Sequence, residues 1–293
     1  MKILITGAAG LVGRALVEHC LASHDEVLSY DHRALDIADA DQVEAEITEK
    51  TPDAVINCAA WTDVDGCETD PKRAQDVNTM GPANLARACS KVNAVLVTIS
   101  TDYVFDGRKE GFYTQRDSPR PESVYGRSKL EGERSVQLEH ARAVIVRTGF
   151  VFGPAGKNFL STIVERARRG EEIKAIGDVC GTPTYARHLA VRLRELAQLD
   201  LPGIFHVVNS GDGASYEEFA RLALDLAECH GANLQVVTMS SLNRPAPRPR
   251  NSKLRCLLSA ALGLAPLPTW QEGLKEFINP NVAKDTENSG IGA

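Results

Sequence analysis

What the chain lacks narrows it first. No run approaches the roughly 18–20 apolar residues that a membrane-spanning helix needs. The N-terminus enters an apolar segment at Ile3 without the long hydrophobic region and cleavage site of a secretory signal. There is no CxxC and no HExxH, and the seven cysteines (Cys20, Cys58, Cys67, Cys89, Cys180, Cys229, Cys256) are odd in number and scattered. Neither a disulfide framework nor a zinc site follows from such a distribution. Excess positive charge is also missing: the formal net charge is −6, which argues against a nucleic-acid partner. Internal repeats and low-complexity stretches are absent. The expectation is a cytoplasmic protein with reduced thiols, no membrane anchor and no structural metal. Its 293 residues, 43% hydrophobic and 25% charged, suffice for one large or two modest domains.

What is present is an alternation of short apolar runs and helical patterns. Lys2–Thr6, Glu26–Tyr30, Asp53–Asn57, Ala94–Ser100 and Ala143–Arg147 read as strands. Helical patterns lie between them: one from Leu11, one from about Asp39 to Lys50, a long one from Pro71 to Lys91 that Gly81-Pro82 should kink, and one from about Tyr125 to His140. Strand–helix alternation over this length predicts an α/β, Rossmann-type doubly wound parallel sheet. We place a dinucleotide-binding domain at 1–150, to which later segments can return, a smaller mixed α/β substrate-binding domain at 151–278, and a flexible tail at 279–293.

The first strand runs straight into Gly7-Ala8-Ala9-Gly10-Leu11-Val12-Gly13 and then a helix. Strand, glycine turn and helix are the context of a dinucleotide site. Gly7 permits the tight turn, Gly10 lets a pyrophosphate approach the backbone, and Gly13 allows close helix–strand packing. The second strand ends at Asp31, where a carboxylate would hydrogen-bond the adenosine ribose of NAD, whereas Arg33 would equally accept the 2′-phosphate of NADP. Both NADPH and NADH stay open.

Thr101 stands at the carboxyl end of the fourth strand, where ligands of open α/β sheets bind. Tyr125 and Lys129 are four apart, hence neighbours on one helix face. An ammonium beside a phenol lowers the phenol's pKa and makes it a usable proton donor. Phe105–Arg120 is a polar loop of active-site-lid length. Residues 244–255 hold three prolines and five cations, a stiff basic loop suited to a diphosphate if it faces the cleft.

These motifs together resemble the extended short-chain dehydrogenase/reductases, and among them the dTDP-4-dehydrorhamnose reductase family. The resemblance covers about residues 1–278 and rests on Gly7-x-x-Gly10-x-x-Gly13, Asn57-Cys58-Ala59-Ala60-Trp61-Thr62-x-Val64-Asp65, Val77-Asn78, Thr101-Asp102-Tyr103-Val104-Phe105-Asp106-Gly107, Tyr125-Gly126-x-Ser128-Lys129, Gly181-Thr182-Pro183-Thr184 and Arg248-Pro249-x-Asn251-Ser252-x-Leu254. Dehydratases of the superfamily carry Asp-Glu after the catalytic Thr; Tyr103 follows Asp102 here, which fits ketone reduction. The resemblance implies reduction of the C4 ketone of dTDP-4-dehydro-β-L-rhamnose, the last step of dTDP-L-rhamnose synthesis. Tyr125 would give the proton, Lys129 would bind the nicotinamide ribose, and Thr101 would bind the carbonyl oxygen. Leu11, Val12, Asp36, Ile37, Ala59, Ala60, Thr62 and Asn78 would join Gly7, Gly10, Gly13, Asp31 and Arg33 around the cofactor. Val64, Asp65, Tyr103 and Phe150 would lie by the sugar, with Arg248, Asn251 and Ser252 toward the diphosphate.

Some positions depart from the family pattern. Phe150 stands where Trp is frequent, and Val179 where Gln is usual. Ala15 replaces a Glu that takes part in magnesium-linked dimerisation in some members, which speaks against Mg2+ and leaves monomer or homodimer. Relatives in the superfamily set two alternatives: another NDP-sugar reductase or epimerase, or a non-catalytic subunit like the β subunit of methionine adenosyltransferase. The latter has Ser at the Thr101 position.

Overall fold

The structure is a computed structural model and describes residues 1–280; the rest of the tail expected at 279–293 lies outside the described residues. The first half contains β1 (Lys2–Thr6), α1 (Leu11–Ala22), β2 (Glu26–Tyr30), α2 (Ala40–Lys50), β3 (Ala54–Asn57), α3 (Val64–Thr69), α4 (Pro71–Gln75), α5 (Gly81–Val92), β4 (Val95–Thr101), α6 (Val124–Glu139) and β5 (Ala143–Thr148). The second half contains β6 (Val151–Phe152), α7 (Phe159–Arg168), β7 (Ile173–Ile176), β8 (Cys180–Gly181), β9 (Thr184–Tyr185), α8 (Ala186–Leu199), β10 (Gly203–His206), β11 (Ala214–Ser215), α9 (Tyr216–Leu226), β12 (Leu234–Val237), α10 (Leu257–Ala261) and α11 (Trp270–Ile278).

Six strands make one parallel sheet in the order β10-β5-β4-β3-β1-β2. Both faces are covered, so its strands are apolar without a polar side. In β1, Ile3 and Ile5 enter the core shared with Leu16 of α1 and Leu189 and Leu193 of α8. Leu4, between them, enters the opposite core with Val43 of α2, Leu85 of α5 and Val136 of α6. Burying each such side chain contributes about 1.5–3 kcal/mol. The second lobe pairs β7 with β12 in parallel and gathers α7, α9 and α11 around Phe152, Tyr185, Phe219 and Trp270. Residues of α8 and β10 return to the first sheet.

The long helix expected over 71–91 is divided. It runs as α4, a π-helical turn over Asp76–Met80, and α5. Pro82 has no amide hydrogen to give, and a wide turn just before it absorbs the mismatch without a break. The pattern did not suggest α3. It is a six-residue helix whose entry is fixed by Asp63 accepting from the Gly66 amide, and its exit by Asp70, which caps α4 through the Arg73 amide. The loop expected as a lid, Phe105–Arg120, is packed down instead. Tyr113 stacks on Phe105 with centroids 4.3 Å apart and bonds to Asp106, and its backbone pairs with residues 253–255.

Helix α6 sits unusually close to its neighbours. A Cβ at Gly132 would lie 2.3 Å from the carbonyl oxygen of Asn78. Alanine gains about 1 kcal/mol over glycine inside a helix, but overpacking against backbone costs about 1–3 kcal/mol or more. Gly132→Ala is therefore expected to lower the urea midpoint; an unchanged or higher midpoint would show that α6 can move away freely.

Candidate active site

The chain leaves β1 for β2 on one side and crosses to β3 on the other, so a crevice opens where β1 and β3 end. The glycine turn fills its floor. Gly7 has φ 66, and a Cβ there would meet the Ala59 amide nitrogen at 2.6 Å. A Cβ on Gly13 would meet the Gly7 carbonyl oxygen at 2.2 Å. Gly10 caps α1 without a side-chain hydrogen bond, leaving first-turn amides for an anion. A cleft of about 690 Å³ starts here, lined by Gly10, Leu11, Val12, Gly13, Ala59, Ala60 and Thr62, and reaches Thr101, Tyr125 and Lys129. The bare backbone and helix N-terminus fit the pyrophosphate of a dinucleotide. Arg14 and Lys157 also line the cleft; the sequence reading missed both, Lys157 because it arrives from the other lobe.

Other expected cofactor residues stand back from the cleft. Asp31 is exposed at the end of β2, where its carboxylate accepts the amides of Arg33 and Ala34. Asp36 accepts the Ala38 amide, and Ile37 is buried against Gly81. Asn78 is 1% exposed and committed within the chain: its amide group bonds the backbone of Trp61 at both N and O and donates to Ser128. Its role is to hold the 59–62 turn onto α6.

At the far end, Thr101, Tyr125 and Lys129 are all buried. Burial pushes the Tyr125 phenol above its ordinary pKa, and a hydrogen bond with Thr101 pulls the other way. Lys129 does not lower it as expected. The ammonium donates to the carbonyl oxygen of Ile99 at 2.7 Å, and burial pulls its own pKa down to about 8, opposed by Glu133. The phenol is accordingly held in its protonated form, ready to donate. Thr101 donates to Asp102 at 3.0 Å and accepts the Tyr103 amide at 3.1 Å. Asp102 is itself enclosed, pushed up to about 6 by burial and opposed by bonds from Ser252 and Thr101.

Val64, Tyr103 and Phe150 line the same cleft, with Tyr216 opposite. Phe150 adopts a left-handed backbone, φ 48, which turns its ring onto Gly181 and Tyr216, 4.5 Å between centroids. Tyr216 was not foreseen, although the Ser215–Glu218 capping box starts α9 there and directs its first side chain backward. A second cavity of about 270 Å³ adjoins, lined by Val64, Tyr103, Tyr216, Lys174, Arg244 and Arg248 among others. Asp65 is held at its rim: Arg248 grips both carboxylate oxygens at 2.9 and 2.8 Å, and Arg244 and the Ala246 amide add to this. The remaining basic-loop residues point elsewhere. Asn251 spends its amide on the carbonyls of Lys109 and Gly111, Ser252 is buried on Asp102, and Lys253 and Arg255 lie over the Phe112 ring. Asn251 and Ser252 are thus held by the chain itself and are not among the residues lining either cavity. Among the described residues, no group of three or more His, Cys, Asp or Glu side chains is placed to hold a metal ion.

A doubly wound sheet with a glycine turn at its crevice and a Thr, Tyr and Lys at the adjoining strand end defines a Rossmann-type fold of the short-chain dehydrogenase kind. Residues 1–282 match the family model described as RmlD substrate binding domain, and the chain belongs to that family. A dTDP-4-dehydrorhamnose reductase of Mycolicibacterium smegmatis is 37% identical over 98% of this chain and 88% of its own. Among solved structures, the dTDP-4-dehydrorhamnose reductase of Clostridium acetobutylicum aligns with TM-score 0.91 at 38% identity, covering 96% of this chain and 99% of its own. That of Bacillus anthracis, in complex with NADP, aligns with TM-score 0.92 at 35% identity over 96% and 100%.

The Asp65 clamp gives a pH expectation. Its cations, Arg248 foremost, hold the Asp65 carboxyl down to about 2, below its ordinary value of 3.8. A carboxylate depressed by folding contributes stability above the unfolded pKa and loses it as pH falls through the folded one. The Ala246 amide should stay protected from hydrogen exchange at pH 4.5, relative to its intrinsic rate, and lose protection in Asp65→Ala. Equal protection in the variant would show that the clamp does not order the loop.

Proposed function

We propose that the chain reduces the C4 ketone of dTDP-4-dehydro-β-L-rhamnose to dTDP-β-L-rhamnose with NADPH or NADH. The observation that carries this is one cleft joining a glycine turn and helix N-terminus to the Thr101 and Tyr125 hydroxyls and the Lys129 ammonium. Bound there, the nicotinamide supplies the hydride. Everything else falls to the chain. Tyr125, joined by Thr101 once its hydroxyl turns from Asp102, converges on the position of a carbonyl oxygen, polarises it and holds it in place. Tyr125, kept protonated by burial, delivers its proton to the oxygen as negative charge develops, a contribution of roughly 10²–10⁴-fold in rate. Lys129 fixes the cofactor ribose. Phe150, Tyr103 and Tyr216 wall the sugar from water, and Arg248, Arg244 and Lys174 around the second cavity suit the anionic nucleotide side. The names of the relatives support the substrate. The same reading places the enzyme in the cytoplasm, as a monomer or homodimer.

Purified protein mixed with enzymatically made dTDP-4-dehydro-L-rhamnose and each cofactor should oxidise the cofactor and form dTDP-rhamnose. Absence of turnover with both cofactors would overturn the reading, and turnover only with another NDP-4-keto sugar would move the substrate. Tyr125→Phe should lose roughly 10²–10⁴-fold in kcat while binding cofactor normally; full activity would remove the assigned acid. Since burial pulls the Lys129 ammonium down to about 8 in the free protein, kcat/KM should fall as pH rises through about that value. A rate flat to pH 10 would mean that its charge plays no part.

A further inference from the structure

Lys129 works only as an ammonium, yet it is 3% exposed and bonded to one neutral carbonyl. Burial of that kind strips protons from lysines. The helix supplies a counterweight. Tyr125, Lys129 and Glu133 are successive residues four apart on α6, so they share one buried face. Glu133 is also 3% exposed, and its carboxylate is fixed from the sheet beneath: Arg147 donates to it at 2.9 and 2.6 Å, and Ser100 donates a third bond. Arg147 is backed by the Phe105 ring, 5.2 Å from its centroid. His206, beside Arg147, is pushed down to about 4 by burial and by that charge, so it adds none of its own. The cluster thus holds two cations and one anion in a low-dielectric layer. Glu133 is the charged group that opposes the downward pull of burial on Lys129.

We propose that Glu133 is a positioning residue that keeps Lys129 protonated, its carboxylate held in register by Arg147 and Ser100. The proposal rests on the role assigned to Lys129 above. The other ionisable groups around the floor of the site are Tyr125 on α6, Asp102 after β4, Cys67 on α3 and Cys58 after β3. Both cysteines are pushed up by burial, to about 11 for Cys67 and about 12 for Cys58, and stay uncharged at neutral pH. Asp102 is spent on Thr101 and Ser252.

The test titrates Lys129 directly, in protein without cofactor, by the resonance of 13C-labelled lysine assigned through its loss in Lys129→Met. The Glu133→Gln protein should titrate at least about one pH unit lower than the unsubstituted protein, and the basic limb of kcat/KM should move with it. Glu133→Gln strands the Arg147 charge and can lose stability for that reason alone. Glu133→Gln/Arg147→Met removes the pair together and should fold while keeping the lowered midpoint. Glu133→Asp should return the midpoint toward its original place. An unshifted midpoint in the folded double variant would reduce Glu133 to a structural ion-pair partner. If the unsubstituted protein turns over no substrate, the functional reading fails, but the titration still decides the role of Glu133.

Discussion

The site depends on how closely α6 lies on neighbouring backbone. A Cβ at Gly126 would stand 2.3 Å from the Tyr103 carbonyl oxygen, and one at Gly132 equally close to that of Asn78. With only hydrogens at these points, the helix settles against the end of β4 and the π-helical turn. Tyr125 and Lys129 then enter the crevice rather than solvent. The seat also explains the electrostatics, since a helix packed this closely excludes water from its catalytic face. Desolvation raises the phenol's pKa and lowers the ammonium's in one stroke.

Burial on this scale has to be matched by partners. Each charge near the reacting end has one: Glu133 for Arg147, and Ser252 and Thr101 for Asp102. Farther out, Arg248 is committed to Asp65 and faces the second cavity with part of its charge already answered. Any anionic group entering there competes with a carboxylate that the chain supplies itself.

The parts of the fold legible in the sequence were those set by local pattern. Strand–helix alternation, the glycine turn and the four-residue spacing of Tyr125 and Lys129 each depend on neighbours in the chain. What failed to show depends on distant contacts. Asn78 and Asn251 look like ligands in a motif, but their amides are spent on backbone, Asn78 17 residues away at Trp61 and Asn251 140 and 142 away at Gly111 and Lys109. Tyr216, Lys157 and Lys174 reach the cavities only because the second lobe folds back over the first. The expectation that Lys129 would depress the phenol's pKa erred in a different way. It counted a neighbouring charge and left out the water that both groups give up.

The position of β10 bears on how the protein is made. It forms the edge of the main sheet beside β5, and α8 just before it covers one face of β3, β4 and β5. During synthesis, the first five strands emerge well before these closing pieces. Until residue 206 is free of the ribosome, Val144, Val146 and their neighbours lack a cover on that face, and β5 presents an open edge. The intervening residues, 149–185, belong largely to the other lobe. The two lobes are therefore coupled in folding: the sheet cannot be finished before the chain has travelled through the second lobe and back. A nascent chain halted between them is the state most exposed to edge pairing and aggregation.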